Sequence, residues 1–141
     1  MMKDAHNYLQ RCSVLAQQAA EKGNSSVGAV VVKDDEIISE AEEVVKTKND
    51  VSCHAEMEAL REAVKNLHTN DLSGCTLYTT HEPCIMCSYA IRFYKIKAVI
   101  YLNQSKYLGG VSSSMPLLIS TEVPPSWSKP PVINHTKEKV G

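Results

Sequence analysis

Residues 76–102, TLYTTHEPCIMCSYAIRFYKIKAVIYL, place a strand, a helix and a second strand one after another. The segment 75–80 alternates as a strand does, and Pro83 stands where the first turn of a helix tolerates proline. The apolar run 97–102 follows that helix with no hairpin turn between them. A strand–helix–strand order predicts parallel pairing through a right-handed crossover, so this stretch indicates an α/β fold.

Upstream of this unit, the sequence predicts a helix, a hairpin and a second helix. Apolar residues at three- and four-residue spacing indicate an amphipathic helix over residues 3–22. The β-branched run 27–33 and the segment 36–45 predict a hairpin, and the composition of 54–67 is strongly helical. Ser52, in the loop before this second helix, is its expected N-cap. Helices should therefore cover both faces of a mixed sheet.

The C-terminal part of the chain lacks this periodicity and is rich in Gly, Ser and Pro. We expect a short helix near 113–119 and then an irregular tail over 119–141, which is available as a lid over the active site. Neither an internal repeat nor a composition change marks a boundary. Residues 1–141 are therefore expected to form a single domain, since that length can bury one core.

Charge and hydropathy exclude several protein classes. The 141 residues carry 15 Lys+Arg and 16 Asp+Glu, so the formal charge of −1 lacks the basic excess of a dedicated nucleic-acid binder. The longest apolar run, Val27 to Val32, is too short to span a bilayer. The five cysteines are an odd number at irregular spacing, and no secretory signal precedes them. We expect a cytoplasmic protein with no membrane partner.

The segments HAE (54–56) and PCIMC (83–87) carry residue types suited to metal chemistry. In the first turn of a helix, Cys84 and Cys87 lie on one face beside the positive end of the helix dipole, which favours the thiolates that bind metal. His54 completes a Cys₂His set suited to zinc, with one position left for water. The sequence therefore predicts a catalytic zinc site.

Glu56 is the candidate proton carrier beside this metal, moving a proton from water to a substrate nitrogen. Spacing alone does not bring it to His54, because residues i and i+2 of an ideal helix point about 200° apart. Two other interpretations are a closed structural zinc site, which would need a fourth ligand, and a redox-active cysteine pair. Cys53 borders His54 but is expected to be a small buried side chain.

HAE followed by PCxxC resembles the signature of the zinc-dependent cytidine deaminase-like superfamily. The segments 27–32, 53–60 and 76–84 are similar to the branch that contains guanine deaminases, fungal-type cytosine deaminases and tRNA adenosine deaminases. The similarity extends over about residues 5–118. It implies a three-layer α/β/α sandwich on a mixed, five-stranded sheet and a homodimer.

The resemblance also implies roles for the motif residues. His54, Cys84 and Cys87 would hold one zinc ion per chain, and Glu56 would be the catalytic proton shuttle. The backbone N–H groups of Ala55 and Cys84 would hydrogen-bond the substrate or its attacking water.

Three further side chains are expected to contact substrate. Glu43 aligns with an Asn that contacts substrate in many members of the branch, and a carboxylate there would accept hydrogen bonds without donating any. His81 precedes the metal helix in place of a hydrophobic or small residue. Trp127, the single tryptophan, is expected either to stack over the ligand as a lid or to anchor the tail.

The resulting prediction is a zinc-dependent hydrolytic deaminase of a nucleobase or nucleoside that releases ammonia. A tRNA adenosine-to-inosine deaminase is the first alternative, and the near-neutral charge argues against it because phosphate contacts need Lys and Arg. A non-catalytic, zinc-stabilised binding protein is the second. The expected partners are a small-molecule base or nucleoside and a second copy of the chain, with no nucleic acid.

Overall fold

The computed structural model of the protein describes residues 2–136. Its elements in chain order are α1 Met2–Glu21, β1 Gly28–Lys33, β2 Glu36–Glu42, α2 Val45–Lys48, α3 Ala55–Leu67, β3 Thr76–His81, α4 Ile85–Phe93, β4 Ala98–Asn103 and β5 Val132–His135. No helix within these residues is both long enough and apolar enough to cross a bilayer.

The five strands form one mixed sheet in the order β2-β1-β3-β4-β5. β1 pairs antiparallel with β2 and with β3, whereas β3, β4 and β5 run parallel to one another. The parallel pairing of β3 with β4, joined by α4, is the crossover that the sequence predicts. The α/β fold with a mixed, five-stranded sheet is therefore confirmed.

Alternate residues of the central strands pack on opposite helical layers. Val30 and Val32 of β1 face α1, and they form a cluster with Leu9 and Cys12 of that helix. Their neighbours Ala29 and Val31 belong to the larger core on the other face, together with buried side chains of α3 and α4 such as Ala59, Leu60 and Ile91. The period of two along a strand thus separates the two cores of a three-layer sandwich.

The C-terminal part differs from the prediction. The described residues between 111 and 120 form turns and bends rather than a helix, and β5 lies inside the supposedly irregular tail. Val132 N–H donates to Lys97 O at 3.0 Å and Thr136 N–H to Tyr101 O at 2.9 Å. Main-chain bonds to β4 and to Lys97 just before it hold β5 at the edge of the sheet, so its sequence needs no apolar run. The rest of the expected tail, 137–141, lies outside the described residues.

Two local boundaries near the site also differ from the prediction. The second strand ends at Glu42, and side-chain acceptors bind the N–H groups at the start of α2. Glu43 Oε1 accepts from Val45 N at 2.7 Å, and Asn24 Oδ1 accepts from Lys46 N at 3.1 Å. The N-cap of α3 is His54, with extended backbone, and not Ser52. These changes place Glu43 and His54 at one edge of the sheet.

Candidate active site

Three side chains suited to metal binding meet where α3 and α4 begin. His54 and Cys84 are the N-caps of these helices, both with extended backbone, and Cys87 lies in the first turn of α4. His54 Nδ1 is 3.5 Å from each of the two sulfur atoms, and all three ligand atoms lie within 4.8 Å of one another. The structure thus brings the three predicted ligands together.

The spacing of these atoms suits zinc. Around a tetrahedral ion with Zn–S near 2.3 Å and Zn–N near 2.05 Å, a nitrogen and a sulfur ligand lie about 3.6 Å apart. The observed separation of 3.5 Å agrees. Two soft thiolates and one imidazole are the donor types zinc prefers, and three protein ligands leave a fourth position open, as catalytic zinc sites do.

One of the two thiols loses its proton readily. The hydrogen bond from Cys87, and then the neighbouring His54, lowers the pKa of Cys84 to about 4. Cys87 is fully buried, and its hydrogen bond to Cys84 together with burial raises its own pKa well above the ordinary value. Because metals bind thiolates, Cys84 is ready to bind an incoming ion, which would then displace the proton from Cys87.

Glu56 lies in the first turn of α3, next to this cluster. Its Oε1 is 3.9 Å from Cys87 Sγ, and its Oε2 accepts a hydrogen bond of 3.0 Å from Thr79 Oγ1 on β3. Burial raises the pKa of Glu56 to about 7, which suits a group that both takes up and releases a proton near neutral pH. The opposed directions of i and i+2 on a helix do not apply, because His54 lies outside the helix with extended backbone.

A cavity of about 210 Å³ opens beside the cluster. It is lined by Ser25, Val27, Glu43, His54, Glu56, His81, Glu82, Cys84 and Ser105. Glu43 is only 7% exposed, and one of its carboxylate oxygens accepts from Val45 N. No described residue bonds its second oxygen, which leaves a hydrogen-bond acceptor in the cavity for a ligand.

His81 lines the same cavity. Its Nδ1 lies 3.0 Å from Thr80 Oγ1, which also accepts from Gly28 N at 3.2 Å. A hydroxyl group can accept two hydrogen bonds and donate one, so the tautomer of the ring decides which of Thr80 and His81 donates. Burial lowers the pKa of His81, which keeps the ring neutral. The contacts of Glu43 and His81 with substrate stay predictions, but both side chains are in the right place for them.

The structure does not bring Trp127 to this cavity. The indole lies edge-on to Tyr89 at 4.9 Å between ring centroids, and the Arg92 guanidinium sits 5.7 Å from its centroid. Arg92 is buried and donates to the carbonyl oxygens of Leu117, Ser120 and Ser128. These contacts correct the expected lid, because they hold Trp127 on α4 as an anchor for the segment around it.

Ala55, whose backbone was expected to meet substrate, is the first residue of α3 and is fully buried. The first four N–H groups of an α-helix have no partner within the helix, so its N–H is available for that contact, which stays a prediction. Cys12, Cys53 and Cys75 are buried free thiols outside the ligand cluster, as expected.

Sequence reasoning missed two residues that support the site. Thr79 holds the Glu56 carboxylate, and its signal was only its position inside a strand that leads to the metal motif. Glu82 is 2% exposed and binds the loop around residues 105–112 through four donor groups. The only signal in the sequence was a charged residue directly before Pro83 of the metal motif, where burial would require hydrogen-bond partners from another segment.

Comparison with known proteins agrees with this geometry. Residues 2–103 match the profile of the cytidine and deoxycytidylate deaminase zinc-binding region. The chain is 48% identical over 103 residues to a tRNA-specific adenosine deaminase of Aquifex aeolicus, covering 73% of this chain and 68% of that one. It is 44% identical to a guanine deaminase of Bacillus subtilis, covering 67% and 61%.

A solved structure from a study of A-to-I editing by tRNA:A34 deaminases superposes with a TM-score of 0.83 at 32% identity. The superposition covers 92% of this chain and 97% of that one. A Bacillus subtilis guanine deaminase structure superposes with a TM-score of 0.68 at 42% identity, covering 70% of this chain and 63% of that one.

The expectation of a protein without a nucleic-acid partner is wrong in the light of these relatives. The adenosine deaminases among them are specific for tRNA by name. The argument from net charge fails because it averages over the whole surface, whereas phosphate contacts depend on a few local cations.

Proposed function

Because the chain belongs to the cytidine and deoxycytidylate deaminase zinc-binding family, we propose that it hydrolyses the exocyclic C–N bond of an adenosine held in tRNA. Water is consumed, the adenosine becomes inosine, and the amino group leaves as ammonia. One observation carries the proposal: a three-ligand metal cluster and a buried carboxylate, Glu56, meet at a cavity of about 210 Å³. A structural zinc site would need neither the cavity nor the carboxylate.

His54, Cys84 and Cys87 hold the zinc ion, which supplies Lewis-acid activation of water when it is bound. The residues of this chain then move the protons. Glu56 takes one proton from the water and delivers it to the ring nitrogen beside the reacting carbon. It then carries the second proton of that water to the departing amine, which leaves as ammonia. Thr79 keeps the carboxylate in place by donating to Oε2, so the other oxygen, Oε1, remains for the transfer.

The tRNA substrate is supported by the extent of the similarity and by the rim of the cavity. The superposed A-to-I editing structure is covered almost in full, whereas the guanine deaminase structure is covered at 63%. Lys46 lies three residues after Glu43 of the cavity wall, and Lys106 directly follows Ser105. Both are exposed and form no ion pair within the described part of the chain, so they are available for phosphate groups.

A free purine such as guanine is a second candidate, favoured by one feature. The second oxygen of Glu43 can only accept hydrogen bonds, and guanine presents N1–H and 2-amino donors at positions where adenine has none. The Bacillus subtilis relative acts on guanine by its name.

We also propose that the chain forms a homodimer through the exposed side of α4. Tyr89 is 55% exposed and Phe93 47%, and nearby Met115 and Ile119 are 52% and 40% exposed. An apolar face of this kind is typical of a protein interface. Sedimentation equilibrium should report a dimer that Tyr89→Glu converts to a monomer. An unchanged dimer would place the interface elsewhere.

A cytoplasmic location belongs to the same proposal, since the site needs reduced thiols and the other three cysteines are unpaired as well. Cell fractionation of the native protein tests this assignment. Recovery from an oxidising compartment would contradict it.

The function is tested with zinc-loaded protein and an RNA hairpin that has the loop sequence of an anticodon arm. We expect inosine and stoichiometric ammonia from the hairpin, and about 10²- to 10⁴-fold slower release of both with Glu56→Gln. Free guanine, adenine and cytosine serve as parallel substrates. Ammonia from guanine with none from the hairpin would show that the substrate is a free purine and not an adenosine in RNA. Metal-loaded protein that acts on none of these would remove the enzymatic interpretation.

A further inference from the structure

The loop between β4 and the following turns carries two exposed side chains next to the cavity. Ser105 lines the cavity, and Lys106 and Tyr107 follow it. Tyr107 is 76% exposed, the most of any aromatic side chain in the described part of the chain. Since consecutive Cα atoms are 3.8 Å apart, the Cα of Tyr107 lies within about 8 Å of that of Ser105.

Hydrogen bonds fix both ends of this loop to the start of α4 and to the residues just before it. Ser105 N–H donates to Glu82 Oε1 at 3.1 Å, and its hydroxyl donates to Glu82 O at 2.7 Å. On the other side, Ile85 N–H donates to Leu108 O at 3.1 Å, and Gly109 forms a bridge with Cys84. The backbone on both sides of Lys106 and Tyr107 is therefore anchored.

Tyr107 also differs from the other exposed aromatic residues. Tyr89 and Phe93 stack on each other at 6.5 Å and continue into the contact with Trp127. Tyr107 has one ring contact among the described residues, with the Lys106 ammonium 5.7 Å from its centroid. Most of the ring faces solvent, with a positive charge beside it.

We propose that Lys106 and Tyr107 form a stacking platform for the nucleotide next to the one that enters the cavity. This inference rests on the proposed RNA substrate. An exposed aromatic ring binds an unpaired base by stacking, and an adjacent ammonium binds its phosphate. The occupant is a single-stranded nucleotide in a loop, because a base within a duplex has no free face for the ring.

Substitution tests this platform through KM for the RNA hairpin. Tyr107→Ala should raise KM by about 5- to 150-fold, the range that follows from losing one base–aromatic stack. The kcat value should change little, because the ring does not touch the reacting atoms. Tyr107→Phe should keep the KM of the unmodified protein. Lys106→Ala should raise KM less and flatten its dependence on salt, as the loss of one phosphate contact does.

A hairpin with an abasic nucleotide next to the target adenosine makes the test specific. If the ring stacks on that base, the abasic hairpin and Tyr107→Ala should each raise KM, and combining them should add little further. Fully additive effects, or a large loss of kcat and thermal stability in Tyr107→Ala, would overturn the platform and leave the proposed function intact. Failure of the unmodified protein to deaminate any RNA hairpin while it acts on free bases would overturn both.

Discussion

Replacing Glu82 by Gln should destabilise the zinc-loaded protein by about 2–4 kcal/mol at neutral pH. The carboxylate accepts from Ser105 N at 3.1 Å on Oε1, and from Val111 N and Ser112 N at 2.8 Å each on Oε2. Ser112 Oγ adds a contact of 2.7 Å on Oε1. The amide of Gln offers one acceptor oxygen and turns an NH₂ toward donors, so one or two buried N–H groups lose their partner at about 1–3 kcal/mol each.

This loss should depend on pH with a definite sign. Burial alone would raise the pKa of Glu82, but the hydrogen bonds from Ser112, Val111 and Ser105 outweigh it and hold the pKa below its ordinary value. A carboxyl whose folded pKa is depressed stabilises the folded state above its unfolded pKa, and the effect is lost as pH falls through the folded pKa. The difference in the free energy of unfolding between the unmodified protein and Glu82→Gln should be constant near neutral pH. It should become smaller below about pH 4.5.

Urea unfolding of both proteins at several pH values measures this difference in stability. Amide hydrogen exchange then shows which part of the chain has lost stability. Exchange should accelerate at Val111 and Ser112 in Glu82→Gln. Glu62→Gln is the matched control, because Glu62 is exposed on α3, and its effect should stay within about 0.5 kcal/mol. A Glu82→Gln protein that unfolds within the same margin of the unmodified one, with both amides still protected, would refute the account of this loop.

Three further substitutions test the site and its surroundings. Glu56→Gln should keep one zinc ion per chain by metal analysis, while ammonia release falls by about 10²- to 10⁴-fold, the contribution of a positioned proton carrier. Thr79→Val should lower kcat about tenfold with little change in KM, because the Glu56 carboxylate loses the one hydrogen bond that orients it. Thr79→Ser keeps the hydroxyl group and should restore kcat. Trp127→Ala should lower the free energy of unfolding by about 1–3 kcal/mol through its lost contacts with Tyr89 and Arg92, and leave KM unchanged.

Each of these has an opposite outcome. Full turnover in Glu56→Gln would mean that another group carries the proton. A Thr79→Val protein with unchanged kcat would show that Glu56 needs no support from β3. A raised KM at unchanged stability in Trp127→Ala would show that the indole contacts the substrate.

The ligand set was predictable because its signals are local. Cys84 and Cys87 are three residues apart at a helix start, and the HAE motif supplies His54 and Glu56 two residues apart. The one geometric obstacle, the opposed directions of i and i+2 on a helix, depended on the backbone of His54. Its extended conformation at the N-cap removes the obstacle, and a sequence pattern does not report that angle.

The contacts that only the folded chain reveals join residues far apart in sequence. Glu82 binds amides more than twenty positions downstream, and Arg92 binds carbonyl oxygens around 117–128. For Trp127 the sequence left two roles open, a lid over the ligand or an anchor for the tail, because aromatic residues suit both. Its contacts with Tyr89 and with the buried Arg92 show the anchor.

The amino-acid sequence by itself determined the α/β class, the parallel β3–α4–β4 unit and the metal ligands, since each follows from hydrophobic period or motif spacing within a short window. Tertiary structure decided the fifth strand, the cavity wall and the position of Tyr107. β5 pairs through main-chain groups that every residue carries, so its four residues leave no side-chain pattern to read. Which surface groups surround the cavity likewise depends on how distant loops come together.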